Sequence, residues 1–352
     1  MGEASAAGPS RRSIVARIAL LAAIIVVVFV VVLPRLVDVD AVLDAFAKLS
    51  GGQLAVLSVA TLLAYVANAG PARALVPGLS WIRAVASDLA GRAVASTIPG
   101  PSDVAMKSFL YAKWGLPSGP ANAGLALASL FEPLSSLALP VIAIVGVLLA
   151  GGQATDRAIL LTVVSVILLA LAAAVLTAIV RSESLARRLG SWIDRAAGWV
   201  SDRLGRTAPT GIVDGVLGFR ARSKDLLTQR GAIGFGAAIA AKLGWFVVFE
   251  VALIAVGLPP EVLSPGAVLA AMAIVGVVAL VPITPGAVGV SEVAYIGLLS
   301  SVAGPGNEEA VTAGVLLFRI AQWFGPIPIG WILVLLIRGR QLSEALSPTR
   351  PT

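Results

Sequence analysis

The 352-residue chain is 58% hydrophobic and only 13% charged, about half the charge expected of a soluble domain at about 25%, which excludes an ordinary soluble globular protein. Cysteine and histidine are absent, so disulfides, thiolate chemistry, histidine metal ligands and a histidine base are excluded, and no cofactor is implied. The net charge of +7 collects between apolar runs, a pattern of membrane orientation rather than of nucleic-acid binding.

The predicted elements are helical throughout. After a tail at 1–13, Ile14–Leu33 follows Arg11 and Arg12 as a signal peptide would, but it ends in Pro34-Arg35 without a small-residue cleavage site and reads as a retained span. Gly52–Gly70 is the next span. Trp81–Trp114 is apolar but interrupted by Pro99-Gly100-Pro101, and Pro120–Ala150 and Ala158–Val180 are each long enough to cross a core of about 30 Å. Residues 181–230 carry Leu185, Leu189, Trp192, Ala196 and Trp199 at spacings of three and four, with Arg187, Arg188, Asp194, Arg195 and Asp202 between them. Such a stripe fits a helix lying on the inner leaflet, or one packed on the protein's own loops. Ala232–Gly257 spans, Pro265–Ala303 is interrupted by Pro282 and Pro285-Gly286, and Val311–Ile337 spans before a tail at 338–352.

Interior prolines and glycines in the two punctuated stretches predict broken or re-entrant hairpins at 81–114 and 265–303. The expected fold is an all-α polytopic membrane protein of about six full spans, with a first half at 14–180, a basic segment at 181–230 and a second half at 231–337. Residues 181–230 carry ten Lys or Arg against five acids, so this segment is assigned to the cytoplasm. Counting spans from it makes both termini cytoplasmic in a multi-pass cell-membrane protein, with Arg11, Arg12, Arg17, Arg338, Arg340 and Arg350 inside and Asp38, Asp40 and Asp44 outside.

The same count makes the two hairpins enter from opposite sides. Pro99-Gly100 is followed by Leu130-Phe131-Glu132, and Pro285-Gly286 by Leu317-Phe318-Arg319, at offsets of 33 and 34 residues. That pattern predicts an inverted repeat with a site near the bilayer midplane.

Charged residues inside spans cost roughly 2.5–3.5 kcal/mol on insertion scales and so require a partner or a purpose. Asp88 and Arg92 are four apart, as are Asp103 and Lys107, and each pair can close on one helix face. Ser102 reads as a helix cap, with Asp103 and Lys107 in the turn behind it, where Lys107 could meet a phosphate. Gly286 and Gly289 allow backbone to approach a ligand, and Glu292 begins the returning half-helix, where it serves either helix stability or substrate and proton binding. Glu132 and Arg319 hold corresponding positions with opposite charge. Their expected role is a midplane ion pair, with contact between Arg319 and a lipid phosphate as the sharper alternative. Lys242 and Glu250, in one span, are less diagnostic.

The string Pro285-Gly286-Ala287-Val288-Gly289-Val290-Ser291-Glu292, followed by Arg319 and Trp323, resembles the lysylphosphatidylglycerol synthase transmembrane, or flippase-like, family, whose pattern there reads approximately P-G-G-x-G-x-x-E and then an arginine. Gly100-Pro101-Ser102-Asp103-Val104-Ala105-Met106-Lys107 is similar to the family's G-x-x-G-E-x-x-R stretch, with Asp and Lys replacing its Glu and Arg and Ser102 replacing a glycine. Pro133 stands after Glu132 where the family often has arginine. The resemblance implies lipid translocation. The chain ends fifteen residues after Ile337, so a fused aminoacyl-transferase domain is not expected.

The leading expectation is a translocator of an anionic or polyprenyl-phosphate-linked lipid, with Asp103, Lys107, Glu132, Gly286, Gly289, Glu292 and Arg319 binding substrate. No phosphate-cradling G-x-x-x-x-G-K-[ST] motif is present, so direct ATP drive is not expected. The other readings are a membrane-embedded transferase with Asp103 or Glu292 as base, and a non-transporting partner of a glycosyltransferase or another cell-envelope enzyme.

Overall fold

The computed structural model describes Asp44 and residues 46–97, 101–149, 156–203, 211–279 and 287–346. The expected span Ile14–Leu33, the breaks at Pro99-Gly100 and at Pro282 to Gly286, and the site residue Gly286 lie outside them. Every regular element among the described residues is helical: α1 (Gly51–Asn68), α2 (Gly70–Leu75), α3 (Trp81–Thr97), α4 (Ser102–Lys113), α5 (Ser118–Ser136), α6 (Leu139–Leu149), α7 (Asp156–Arg181), α8 (Glu183–Arg203), α9 (Ile212–Ala255), α10 (Pro265–Val278), α11 (Val290–Ala303), α12 (Glu308–Arg319), a π-helical turn at Ile320–Phe324, and α13 (Pro326–Leu346).

Four helical stretches are long and apolar enough to cross a membrane, namely Gly51–Leu75, Thr162–Arg181, Ile212–Ala255 and Glu308–Ile337. They become five if the bent pair α5–α6 is one span. The chain is therefore an all-α, multi-pass membrane protein. Apolar side chains stand exposed along α7, among them Leu160, Ile167 and Leu171. Exposed aliphatics in that number are tolerable only where acyl chains replace water.

The two interrupted stretches are indeed pairs of shorter helices, α3 with α4 and α10 with α11. At 14 residues each, α10 and α11 reach only about 21 Å and cannot cross alone. Ser264 caps α10 by accepting the Ala267 N–H at 3.4 Å, with Pro265 at the first helical position, where its missing N–H costs nothing.

Three spans differ from their expected form. Pro120–Ala150 bends by 41° between Ser136 and Leu139, because Pro133 and Pro140 each delete a helical hydrogen bond close to the joint. Val311–Ile337 is interrupted by the π-helical turn, in which the Gly325 N–H donates to the Ile320 carbonyl at 2.7 Å. Pro326 and Pro328 behind it cannot supply the next amide donors, so the ladder shifts by one residue. In the third case the basic segment and Ala232–Gly257 are not separate: α9 runs unbroken for 44 residues, about 66 Å, twice a hydrocarbon core. No proline stops it, so the helix continues where the apolar run does not.

The chain divides into two compact units. Unit one comprises residues up to 62, 88–106 and 245 onward, and unit two comprises 63–87 and 107–244. Unit two is built on Leu75, Leu127, Ala128, Phe131 and Ala238, with Phe131 and Phe235 edge to face at 5.5 Å. The Leu75 carbonyl lies against Gly124 and the Leu75 side chain against Gly234, leaving no room for a Cβ at either glycine. Small residues admit such close helix approach inside a membrane, where apolar burial alone gives little driving force between helices.

Unit one is centred on aromatic rings. Phe249 of α9 stacks on Phe318 of α12 at 4.2 Å, Tyr295 of α11 meets Phe249 at 5.1 Å, and Trp245 stands edge-on to Phe318 at 6.5 Å. Gly314 of α12 packs under Leu253, and Gly330 of α13 packs on the Leu89 backbone of α3.

Candidate functional site

Two charges of unit one, Glu292 and Arg319, meet where α11 begins. Gly289 precedes the helix with φ of 86°, a left-handed conformation that glycine adopts freely. This turn aims its N–H at Glu292, three residues on, whose Oε2 accepts it at 2.6 Å. A carboxylate at that position satisfies an orphan amide and opposes the positive end of the helix. Its other oxygen, Oε1, accepts from Nε of Arg319 at 2.7 Å. The two side chains are 1% and 5% exposed.

Arg319 is the last residue of α12, directly before the π-helical turn. That turn presents Gln322, whose Oε1 accepts from Nη1 of Arg319 at 2.8 Å. The guanidinium is thus held from two sides. Phe318 and Tyr295, one residue before Arg319 and three after Glu292, place the aromatic cluster against the pair. Ala287 has φ of 52°, a left-handed conformation costing a non-glycine residue roughly 1–2 kcal/mol. In the P-G-G-x-G-x-x-E pattern this position belongs to glycine.

The structure joins Gly289, Glu292 and Arg319 into one site, and it corrects the pairing expected for Arg319. The carboxylate partner is Glu292, not Glu132. Glu292 is fixed at the buried start of α11, which packs on α12, whereas Glu132 belongs to unit two and its side chain is exposed on α5. Asp103 and Lys107 are half-buried, one turn apart on α4, which starts at Ser102. Ser102 is thus the first helical residue, and the Pro101 carbonyl accepts the Ala105 N–H at 3.1 Å. The expected Asp88–Arg92 pair forms on α3 at 3.0 Å.

Sequence reading missed Gln322 and the aromatic cluster. The i, i+3 spacing of Arg319 and Gln322 was the available signal for the first. Glu250, beside Phe249 on α9, keeps a buried Oε1 that has no hydrogen-bond partner among the described residues. No cluster of acidic residues among the described residues has the form of a metal site.

Apolar spans too exposed for water, interrupted helices and a buried ion pair at one interruption define a polytopic membrane protein with a charged group sheltered inside its helices. The chain belongs to the family of lysylphosphatidylglycerol synthase TM regions, which it matches over residues 15–330. No curated protein matches it. Membership makes it a membrane protein of lipid modification or translocation.

Proposed function

We propose that the protein moves an anionic lipid, or a lipid-linked anionic group, between leaflets, and that Arg319 meets the phosphate. One observation carries this reading: a buried guanidinium inside a membrane unit is held by a carboxylate at the start of an interrupted helix. A phosphate offers the same planar recognition as a carboxylate, and arginine suits both. Exchange of Arg319 between Glu292 and a phosphate would keep the buried cation neutralised throughout, while Glu292 retains the Gly289 N–H. The π-helical turn behind Arg319 and the left-handed residues before Glu292 are the local backbone features that such an exchange would use. Lys107, one turn beyond Asp103 on α4, is the other basic residue that this reading assigns to a phosphate, as a point charge.

Purified protein in vesicles, assayed with labelled phosphatidylglycerol and polyprenyl phosphate, should accelerate transbilayer movement over protein-free vesicles. Arg319→Lys preserves the charge and loses the planar fork, so its rate should fall at least about tenfold, a difference near 1.4 kcal/mol. Unchanged rates for both lipid classes with the unaltered protein would defeat the proposal.

In this reading the basic helices face the cytoplasm in the cell membrane, and the loop at Glu261 faces outward. The absence of cysteine makes this directly measurable. In intact cells a membrane-impermeant maleimide should label Glu261→Cys and should label Ser184→Cys only after permeabilisation. The reverse pattern would invert the orientation.

A further inference from the structure

A cavity of about 540 Å³ lies where α8 meets the end of α7. Val175 and Ile179 of α7 and Leu185 and Trp192 of α8 form its apolar walls, and Arg188 and Arg195 bring its charge. It lies wholly in unit two, apart from the Glu292–Arg319 site in sequence and in composition.

The connection between the helices is a single residue. Ser182 accepts the Leu185 N–H at 3.3 Å, which starts α8 at once and joins a membrane span directly to an amphipathic helix. Ile167, Leu171 and Val175 are 59%, 58% and 50% exposed. At four-residue intervals they form one apolar track along α7 that ends in the cavity. Because α7 spans the membrane, the material against this track is lipid.

The arginines are distinguished by their partners. Arg187 bonds Glu183 at 3.1 Å, and Arg220 reaches the same carboxylate at 3.7 Å. Arg188 has no carboxylate within reach among the described residues. Among the described residues Arg195 commits only Nε, to the Ser191 carbonyl at 3.2 Å, which leaves its terminal nitrogens for another acceptor. Arg188 and Arg195 are seven residues apart, on the same side of α8 about 10.5 Å along its axis. Trp192, 63% exposed, stands between them in the position typical of a headgroup-depth anchor.

We propose that this cavity binds one anionic phospholipid, with an acyl chain on the Ile167, Leu171 and Val175 track and the phosphate between Arg188 and Arg195. The bound lipid fixes α8 at the membrane surface and does not depend on the translocation proposal. A zwitterionic lipid fills the same apolar space but brings an ammonium group next to two guanidiniums, which sets the preference for net negative charge.

The test is native mass spectrometry of the full chain released from detergent, titrated with phosphatidylglycerol and with phosphatidylcholine of matched acyl chains. Phosphatidylglycerol adducts should persist at about tenfold lower lipid concentration. The Arg188→Gln/Arg195→Gln variant should lose that preference while eluting as a folded protein in gel filtration. Arg187→Gln, whose guanidinium already has a partner, should keep it, and water-soluble glycerol phosphate should not displace the lipid. Three outcomes would each overturn the assignment: equal binding of both lipids, a preference that survives the double substitution, or displacement by glycerol phosphate. An equal loss in Arg187→Gln would show a diffuse basic surface and would also overturn it.

Discussion

Glu292→Ala is expected to destabilise the protein by about 3–5 kcal/mol, the cost of leaving one partner of a buried ion pair without its counter-charge. Arg319 is buried, and loss of the carboxylate strands its cation in an apolar unit. The same substitution removes the acceptor of the Gly289 N–H, and with it the end of α11. Arg319→Ala should be comparably harmful, because it strands the Glu292 carboxylate instead. The pair replaced together, as Glu292→Leu/Arg319→Met, should recover the ion-pair share of the loss, since neither charge then remains to be solvated, while the Gly289 N–H stays without its acceptor. Thermal unfolding of the unaltered protein, Glu292→Leu, Arg319→Met and the double variant in one detergent measures the cycle. Additive losses in the double variant would remove the ion pair as the reason for burial. Assayed in vesicles, the folded double variant should move no lipid, which separates the contribution of the pair to stability from the use of Arg319 as a phosphate partner.

Part of this site was legible from residue types and spacing. The interior prolines and glycines of the two punctuated stretches fall in the sequence between the ends of α3 and α4 and of α10 and α11, and Glu292 was recognisable as the first acid of the returning helix. The partner of Arg319 was not legible. The offsets of 33 and 34 residues relate Glu132 to Arg319 by correspondence in the chain, but an ion pair requires proximity. That is decided by α11 packing on α12 and by the exposure of Glu132 on α5. Composition likewise located the apolar part of α9 while missing its length, since hydropathy ends at Gly231 and helix geometry does not. The role of Gln322 depends on a π-helical turn forced by Pro326, a consequence of hydrogen-bond bookkeeping over several residues rather than of any single one. The stacking of Phe249 on Phe318 joins helices far apart in sequence. No local pattern encodes it.

Gly330→Ala should destabilise unit one by about 1–3 kcal/mol through overpacking, even though alanine is the better helix former. A Cβ at residue 330 would overlap the Leu89 carbonyl oxygen and come within 2.7 Å of the Ala93 Cβ and 2.9 Å of the Leu89 carbonyl carbon. Two of these three obstacles are backbone and cannot rotate away, so α3 and α13 would have to separate. Where apolar burial contributes little between helices, losing such an approach forfeits most of what holds the two together. Gly297→Ala supplies the control. It lies on α11 in the same unit, and a Cβ there meets nothing within 4 Å, so the substitution should be neutral or stabilise by up to about 1 kcal/mol from helix propensity. Thermal unfolding of both variants in the same detergent decides the matter. The close-packing account fails if Gly330→Ala unfolds at or above the temperature of Gly297→Ala, because propensity would then outweigh contact. A graded loss from Gly330→Ala to Gly330→Val, beside little change at residue 297, would place the effect in the distance between α3 and α13.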